Sequence, residues 1–505
     1  MENQDNNVVK LDEESNTEED ALKNSEEKIG ESKRVVKNII MVAFSNILKL
    51  ISGILIGFIV PKIMGETNYG YYKTFTLYSG YIGLLHLGFC DGIYLIYGGK
   101  RYDDLNKDSF KAYSRFFFVF QVVISLLIAI PALLFINSDY GFIFLFVGIN
   151  VIVTNMVTFY QYISQITGRF KELSFRNTIQ ALLTIALIGV LTALYYYGII
   201  SELYYKVYVI ATSFIQLALA MWYTFTYRKL SFGKGNSIKQ ERSSIIEFFK
   251  IGMPLLVANL VTQLIMSFDS QFVSILVNFD KYTIEEYGIY SFAYSMLTLI
   301  TTVISAISMV LYPTIKNYTN ERLKSDYNKL IAIIAIVTSM CMMSYYPLRF
   351  IVEHWLEKYM DSLPIFRVIL PGVILSSCVT MIMFNYYKTI GKHVMFFVIS
   401  VIILVLSVVA NLIAYITTKE LVWISAASVI VMAIWYLSTE MFIVRKFKIK
   451  PYKNILFIVL ETIAFYLVTY FIDNIYIGCV VCFISLISIT IVFYYRLLLN
   501  KFQEL

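Results

Sequence analysis

The sequence predicts an all-α polytopic membrane protein of about 14 transmembrane helices, arranged as two six-helix bundles plus two C-terminal helices. The bundles are expected to be related by a pseudo-twofold axis along the membrane normal. Three observations carry this reading: the composition, the placement of basic residues, and an internal repeat.

Composition comes first. The 505 residues are 58% hydrophobic and 15% charged, with a mean hydropathy of +0.67. A soluble chain is about 45–50% apolar and about 25% charged. The apolar residues fall in runs of the roughly 20 residues that cross a bilayer core.

Taken in order, residues 1–36 are rich in Glu, Asp, Asn and Lys and lack the apolar core of a signal peptide. They are expected to be a disordered cytoplasmic tail. Spans are expected at 37–61, 69–98, 113–137, 141–165, 174–198 and 205–226, forming the first bundle (37–226). A basic cytoplasmic linker (227–246) leads to the second bundle (247–445), with spans at 247–277, 286–312, 327–348, 364–387, 393–417 and 420–444. Two further spans, 454–472 and 475–496, lie in the C-terminal segment 446–505.

Basic residues test this division, because cytoplasmic loops hold the excess of Lys and Arg. With both termini inside, the inner segments hold 33 of the 42 Lys and Arg, and the outer loops hold eight. The remaining one, Lys49, lies within a span. The chain is therefore expected to be a multi-pass protein of the cell membrane with cytoplasmic termini. Dispersed over many loops, the net charge of +7 reads as orientation and not as a nucleic-acid surface.

The repeat is short. Tyr69-Gly70-Tyr71-Tyr72 and Tyr287-Gly288-Ile289-Tyr290 both place Tyr-Gly-x-Tyr at the outer start of a helix, the second helix of each bundle. Six is an even number, so the two bundles share one orientation, a known transporter plan.

The first helix of each bundle carries a polar arc. In the first span it contains Ser45, Asn46, Lys49, Ser52, Gly53 and Gly57; in the seventh, Asn259, Gln263, Ser267, Asp269, Ser270 and Gln271. Polar faces inside a membrane meet a cavity or another helix. Both arcs are expected to line the cleft between the bundles.

Lys49 lies about 12 residues into its span, roughly 18 Å deep at 1.5 Å per residue. Burying its charge costs at least about 2.5–3.5 kcal/mol. Two roles are open to it: attracting an anionic group such as a phosphate, or pairing with a carboxylate. Asp269 is the expected partner, because counting back from each Tyr-Gly puts the two within about 3 Å in depth. Asp91, within Gly88-Phe89-Cys90-Asp91-Gly92, is expected to be a buried acceptor where glycines let helices approach closely. Glu440 and Glu461 fit helix-packing or interfacial roles. Pro254 and Pro371 can bend their helices.

Other chemistries are missing. No GxxxxGK[ST] loop occurs. The histidines His86, His354 and His393 are scattered, and the CxxC of Cys479 and Cys482 stands alone on an apolar helix. No metal, cofactor or catalytic residue is expected, and the chain reads as no enzyme.

Several stretches carry a family resemblance: Leu87-Gly88-Phe89-Cys90-Asp91-Gly92-Ile93-Tyr94, Phe249-Lys250-Ile251-Gly252-Met253-Pro254-Leu255, Tyr287-Gly288-Ile289-Tyr290-Ser291 and Asn385-Tyr386-Tyr387-Lys388-Thr389-Ile390-Gly391-Lys392. With the twelve-plus-two span count, residues 37–445 resemble the polysaccharide (Wzx-like) flippase branch of the multidrug/oligosaccharidyl-lipid/polysaccharide exporter superfamily. The resemblance implies a flip of undecaprenyl-pyrophosphate-linked oligosaccharide across the cytoplasmic membrane by alternating access, for a capsule, exopolysaccharide or O-antigen-like polymer. Its partners would be membrane lipids, a polysaccharide polymerase and glycosyltransferases. The alternatives are a cation-coupled multidrug exporter, in which Asp269 and Asp91 carry protons or sodium, and a lipid II flippase. A membrane polymerase or ligase fits less well, because no large outer loop is present. The expected pathway residues are Lys49, Asp269, Asn46, Asn259, Gln263 and Asp91.

Overall fold

The computed structural model describes residue 41 and residues 44–315 and 318–502. The acidic segment 1–36 lies outside the described residues. Every regular element among them is helical. In chain order these are α1 (44–79), α2 (Phe89–Tyr97), α3 (Lys107–Leu133), α4 (Asp139–Ile166), α5 (Phe170–Tyr196), α6 (Tyr205–Thr226), α7 (Arg228–Ser231), α8 (Arg242–Asn278), α9 (Ile284–Ile315) and α10 (Asn320–Met340). They continue with α11 (Tyr345–Trp355), α12 (Ser362–Ile369), α13 (Gly372–Ser377), α14 (Phe384–Thr389), α15 (His393–Thr418), α16 (Leu421–Phe447), α17 (Tyr452–Phe471) and α18 (Ile475–Phe502).

Eleven stretches of the described residues are long and apolar enough to cross a membrane, or twelve if the bent pair of Ser362–Ile369 and Gly372–Thr389 is one span. The expected count of 14 is not confirmed among the described residues. One stretch, Phe44–His86, takes in the first expected span and most of the second in 43 residues. A straight helix of that length would run about 65 Å, twice the bilayer core of about 30 Å. The chain instead turns at Gly65, whose φ of +69° is left-handed backbone open to glycine. The eighth expected span is the 32-residue helix α9, which is not among the eleven.

One expectation needs correction, and two other segments gain detail. The second span is not one helix over 69–98. After α1 the chain passes through Gly80 and a 3-10 turn at Ile82–His86, then Leu87 and Gly88 at φ of +50° and +84°, before α2 begins. The tenth span bends by 42° after α12 and then runs through a π-helical stretch at Cys378–Met383. Pro371 lies at the bend, where it removes a backbone donor. The linker after α6 is tied to α3 as a strap. Asn236 N donates to Asp108 O, and Lys111 Nζ and Arg115 Nη2 donate to the carbonyls of Lys234 and Asn236. Glu241 accepts from Ser109, Tyr113 and Asn236 at 2.6–2.8 Å. Burial pushes the pKa of its carboxyl up, but those three hydrogen bonds outweigh it and hold the group below the usual carboxylate range.

Loop contacts follow the sides set by the basic residues. On the outer side Lys62 donates to Trp355 O, Tyr359 to the carbonyls of Pro61 and Gly65, Tyr205 to Asp139, and Tyr282 to Lys419 O. On the basic side Gly99 N meets Ile166 O, and Asn328 and Asn454 tie the start of α10 to that of α17. Inner and outer below refer to these sides. The two C-terminal helices pack on the second half: Tyr466 donates to Val368 O, and Gly478 leaves room for the Tyr346 ring.

The repeated motif meets itself. Thr67 Oγ1 donates to Glu285 Oε1 at 2.7 Å, and these residues are 218 apart, the offset of the repeat. A Cβ on Gly70 would collide with the Ile284 carbonyl, and one on Gly288 would lie 2.8 Å from Glu66 O and 3.2 Å from Gly70 N. Equivalent residues meeting each other is the signature of a twofold contact. Tyr69 seals it by a 3.1 Å hydrogen bond to Ser295 and edge contacts with Phe292 and Tyr359.

Candidate functional site

The cleft between the halves is framed by α1 and α8, the two helices with polar arcs. Positions four apart on a helix share a face. On α1, Gly53 and Gly57 leave room for Leu299 of α9, whose methyls would lie 3.7 and 3.5 Å from a Cβ at each. Lys49 is one turn further inward on that face, and it is exposed. Asn46 continues the face and is exposed as well. Ser52 leaves it, donating to Ala181 O of α5.

On α8 the same spacing aligns Asn259, Gln263 and Ser267. Gln263 Nε2 donates to Gly80 O at 3.3 Å, and Ser267 Oγ lies 3.0 Å from Tyr81 OH. This face is therefore turned to the first half. Asn259, one turn inward, is exposed. Further inward the two halves close again. Cβ atoms on Gly88 and Gly252 would each run into the other's backbone, and one on Gly92 would strike Phe248 O. The close helix approach expected from the glycines around Asp91 is present.

Of the six expected pathway residues, Lys49, Asn46, Asn259 and Gln263 thus face the space between the halves. Asp269 does not. It is 2% exposed and turned into the second half, where Tyr290 OH donates to Oδ2 at 3.1 Å and Ser270 N to Oδ1 at 2.7 Å. Ser425 of α16 donates to Tyr290 at 3.4 Å. The expected pairing with Lys49 is absent from this structure, and among the described residues no carboxylate lies within ion-pair distance of Lys49. The depth argument fails because the two connections differ. The first pair of spans turns at Gly65, 16 residues after Lys49, whereas α8 ends at Asn278, nine residues after Asp269. At 1.5 Å per residue the difference is about 10 Å.

Asp91 is also buried, accepting from Tyr162 at 3.2 Å with His86 Nε2 at 3.8 Å. His86 Nδ1 in turn accepts from Gly88 N, which ties the cluster to the break in the second span. Glu440 and Glu461 are buried, at 2% and 0% exposure, each taking one hydroxyl, from Tyr436 and Thr490. They pack between helices.

Two residues that the sequence reading passed over carry the break. Unwinding a span frees backbone carbonyls, which must be satisfied inside the protein. Asn155 Nδ2 donates to Ile82 O at 3.1 Å and to Gln121 Oε1 at 2.7 Å, and Gln121 Nε2 reaches Leu85 O at 3.4 Å. Gln263 completes the set at Gly80. The signal was available: Gln121 in the apolar run of α3, Asn150 and Asn155 in that of α4, and four glycines from 80 to 92. Beside the break lies an apolar cavity of about 630 Å³ bounded by Tyr78, Tyr81, Leu85, Ile128 and Tyr140.

An arrangement of two halves with a polar cleft and a broken span suits movement of a solute. Solved structures share this fold. The lipid II flippase MurJ, in an inward closed conformation, superposes with a TM-score of 0.68 at 15% identity, covering 92% of this chain and 100% of that one. An outward-facing multidrug resistance MATE family transporter of the MOP superfamily gives 0.52 at 14% identity, covering 81% and 94%. A MOP superfamily transporter from Pyrococcus furiosus gives 0.52 at 13%, covering 82% and 97%. At these identities the likeness is one of fold. No curated protein sequence matches the chain. The fold is that of membrane flippases and exporters, and no enzyme is among these neighbours. The family model described as polysaccharide biosynthesis protein matches residues 35–319, more than half of the sequence, and the chain belongs to that family.

Proposed function

We propose that this protein flips an undecaprenyl-pyrophosphate-linked oligosaccharide from the inner to the outer face of the cytoplasmic membrane, by alternating access, for a surface polysaccharide. The observation that carries the reading is Lys49, an exposed cation on the cleft face of α1 with no ion-pair carboxylate among the described residues. A cation held in the membrane without a partner is a costly feature, and an anionic ligand offsets that cost. Pyrophosphate supplies such a ligand, and Asn46, Asn259 and Gln263 supply hydrogen bonds nearby. Family membership supports the polysaccharide link. Both termini are placed in the cytoplasm by the same reading, with glycosyltransferases and a polymerase as working partners.

Deleting the gene tests this. Loss of a surface polysaccharide, with lipid-linked units accumulating on the inner face, is the expected outcome. Unchanged polysaccharide in a clean deletion contradicts it.

A second reading is a cation-coupled drug exporter. The buried Asp269 with its Tyr290 hydroxyl favours it, since a carboxylate shut inside one half suits a coupling proton or sodium ion. Cells lacking the protein would then become sensitive to cationic dyes while keeping their polysaccharide.

A further inference from the structure

The inner end of the first half holds a groove of about 500 Å³ that the transport cleft does not include. Lys107 and Lys111 enter it from the first turns of α3, and Arg228, Lys229 and Phe232 from α7 and the residue after it. The two segments are more than 100 residues apart in sequence. The strap fixes their meeting, through Lys111 on Lys234 O and Asn236 on Asp108 O.

Four cations brought together repel one another unless an anion sits among them. Asp108, beside the groove in sequence, is engaged by Lys111 at 2.9 Å. Among the described residues Lys107, Arg228 and Lys229 have no carboxylate within ion-pair distance. The basic loop 445–453 differs, although it holds five basic residues. There Lys446 and Lys453 lie over the rings of Phe447 and Tyr494 at 5.7 and 4.7 Å, whereas of the four cations at the groove Arg228 lies over a ring, Phe225 at 5.2 Å. Orientation in the membrane accounts for both loops being basic, but not for the convergence around a groove.

Aromatic rings set the level of the groove. Phe225 and Phe232 are 69% and 63% exposed, and Trp222 is 37% exposed. Aromatics displayed this way mark the boundary between headgroups and hydrocarbon. The lining is mainly carbon and comes from lysine and arginine side chains and Phe232. That pairing of apolar lining and cationic side chains matches a phosphate on a hydrocarbon chain better than an acidic peptide, whose backbone would need hydrogen-bond partners.

We propose that this groove is a docking site for the phosphate headgroup of a lipid in the inner leaflet. The inference does not depend on which substrate the cleft carries.

Native mass spectrometry of the full-length protein in detergent, titrated with phosphatidylglycerol and with phosphatidylcholine, tests it. The triple variant Lys107→Gln, Arg228→Gln, Lys229→Gln is expected to bind phosphatidylglycerol at least about tenfold more weakly than the unaltered protein, with phosphatidylcholine unchanged. Lys111 is left in place because it holds the strap. A matched variant, Lys446→Gln, Lys448→Gln, Lys450→Gln, removes the same charge elsewhere on the inner side and is expected to retain the lipid. Thermal unfolding within a few degrees of the unaltered protein confirms that each variant folds. Equal loss in both variants would show a charge effect without a site, and no loss in the first would show no binding there; either overturns the proposal. So does lipid retention that rises when the acidic residues of 1–27 are neutralised in the full chain, since that segment would then be the occupant.

Discussion

The second expected span and the eighth stand 218 residues apart and open on the same Tyr-Gly-x-Tyr, yet only one stays helical through the membrane. The eighth is α9, continuous from Ile284 to Ile315. The second breaks between Gly80 and Gly88. The residues at the repeat offset explain the difference. Gly80, Gly83 and Gly88 in the second span correspond to Thr298, Thr301 and Ala306 in the eighth. Gly88 sits at a φ of +84°, which costs other residues about 1–2 kcal/mol. Alanine in α9 has no such freedom and favours the helix. The amides of Gln121 and Asn155 then hold the freed carbonyls on the first-half side. The repeat therefore preserves the outer contact, where equivalent residues touch, and abandons symmetry deeper in, where one half unwinds against the other's α8.

Exchanging residues across the repeat breaks this contrast most severely. Gly88→Ala should add the left-handed penalty to an overpacking cost of about 1–3 kcal/mol against the Gly252 and Met253 backbone. Ala306→Gly, at the equivalent position, should cost only about 0.5–1 kcal/mol. Thermal unfolding in detergent compares them, and equal effects would mean that the break has no special conformation to protect.

Next in size is Asn155→Leu. It leaves Ile82 O and Gln121 Oε1 without their donor, which costs about 1–3 kcal/mol. The same melting measurement reads this, and hydrogen exchange should show the loss concentrated at 80–88. A uniform loss across the fold would count against a local prop. The outer contact should matter less. Thr67→Val removes one exposed hydrogen bond to Glu285, worth under about 1 kcal/mol, so stability should barely change. A large fall in melting temperature would show that the twofold contact holds the halves together more firmly than its chemistry indicates.

The smallest effect sharpens the picture of the strap. The Glu241 carboxyl is held below its ordinary value in the folded chain. A depressed acid stabilises above its unfolded value, and that contribution is lost as the pH falls through the lower, folded one. Exchange protection at 234–241 should be full at neutral pH and decline only in the acid range below about 4.3. In Glu241→Gln the protection should be weaker and independent of pH over that range; an identical acid profile would assign the transition to another group.

Much of this could be read from residues alone. Hydropathy placed the helices, the basic residues separated the two sides, and Tyr69-Gly70 with Tyr287-Gly288 located a contact that the structure closes. The polar faces on α1 and α8 were legible because Lys49, Asn46, Asn259 and Gln263 are costly in an apolar run. The break at Gly80–Gly88 was not, because a window of about 20 residues averages over a few turns of irregular backbone. Asp269 was misplaced for a related reason. Counting residues from a motif measures depth only when the intervening chain has one geometry, and a single glycine turn differs from the loop after Asn278. The hydrogen bonds that tie the linker to α3 were not legible because they join residues more than 100 positions apart.

Everything proposed about transport turns on the cation in the cleft. Lys49→Ala, Lys49→Arg and Lys49→Ala with Asp269→Ala should be compared for expression, thermal stability and flipping of a lipid-linked oligosaccharide in reconstituted vesicles. Lys49 has no ion-pair carboxylate among the described residues, so Lys49→Ala should fold and express as well as the unaltered protein. Adding Asp269→Ala should rescue nothing, since Tyr290 and not Lys49 is the partner of that carboxylate. Lys49→Ala should lose most of its flipping activity, and Lys49→Arg should keep part of it, because the charge is retained while its shape changes. A Lys49→Ala protein that flips substrate at the full rate would contradict the account.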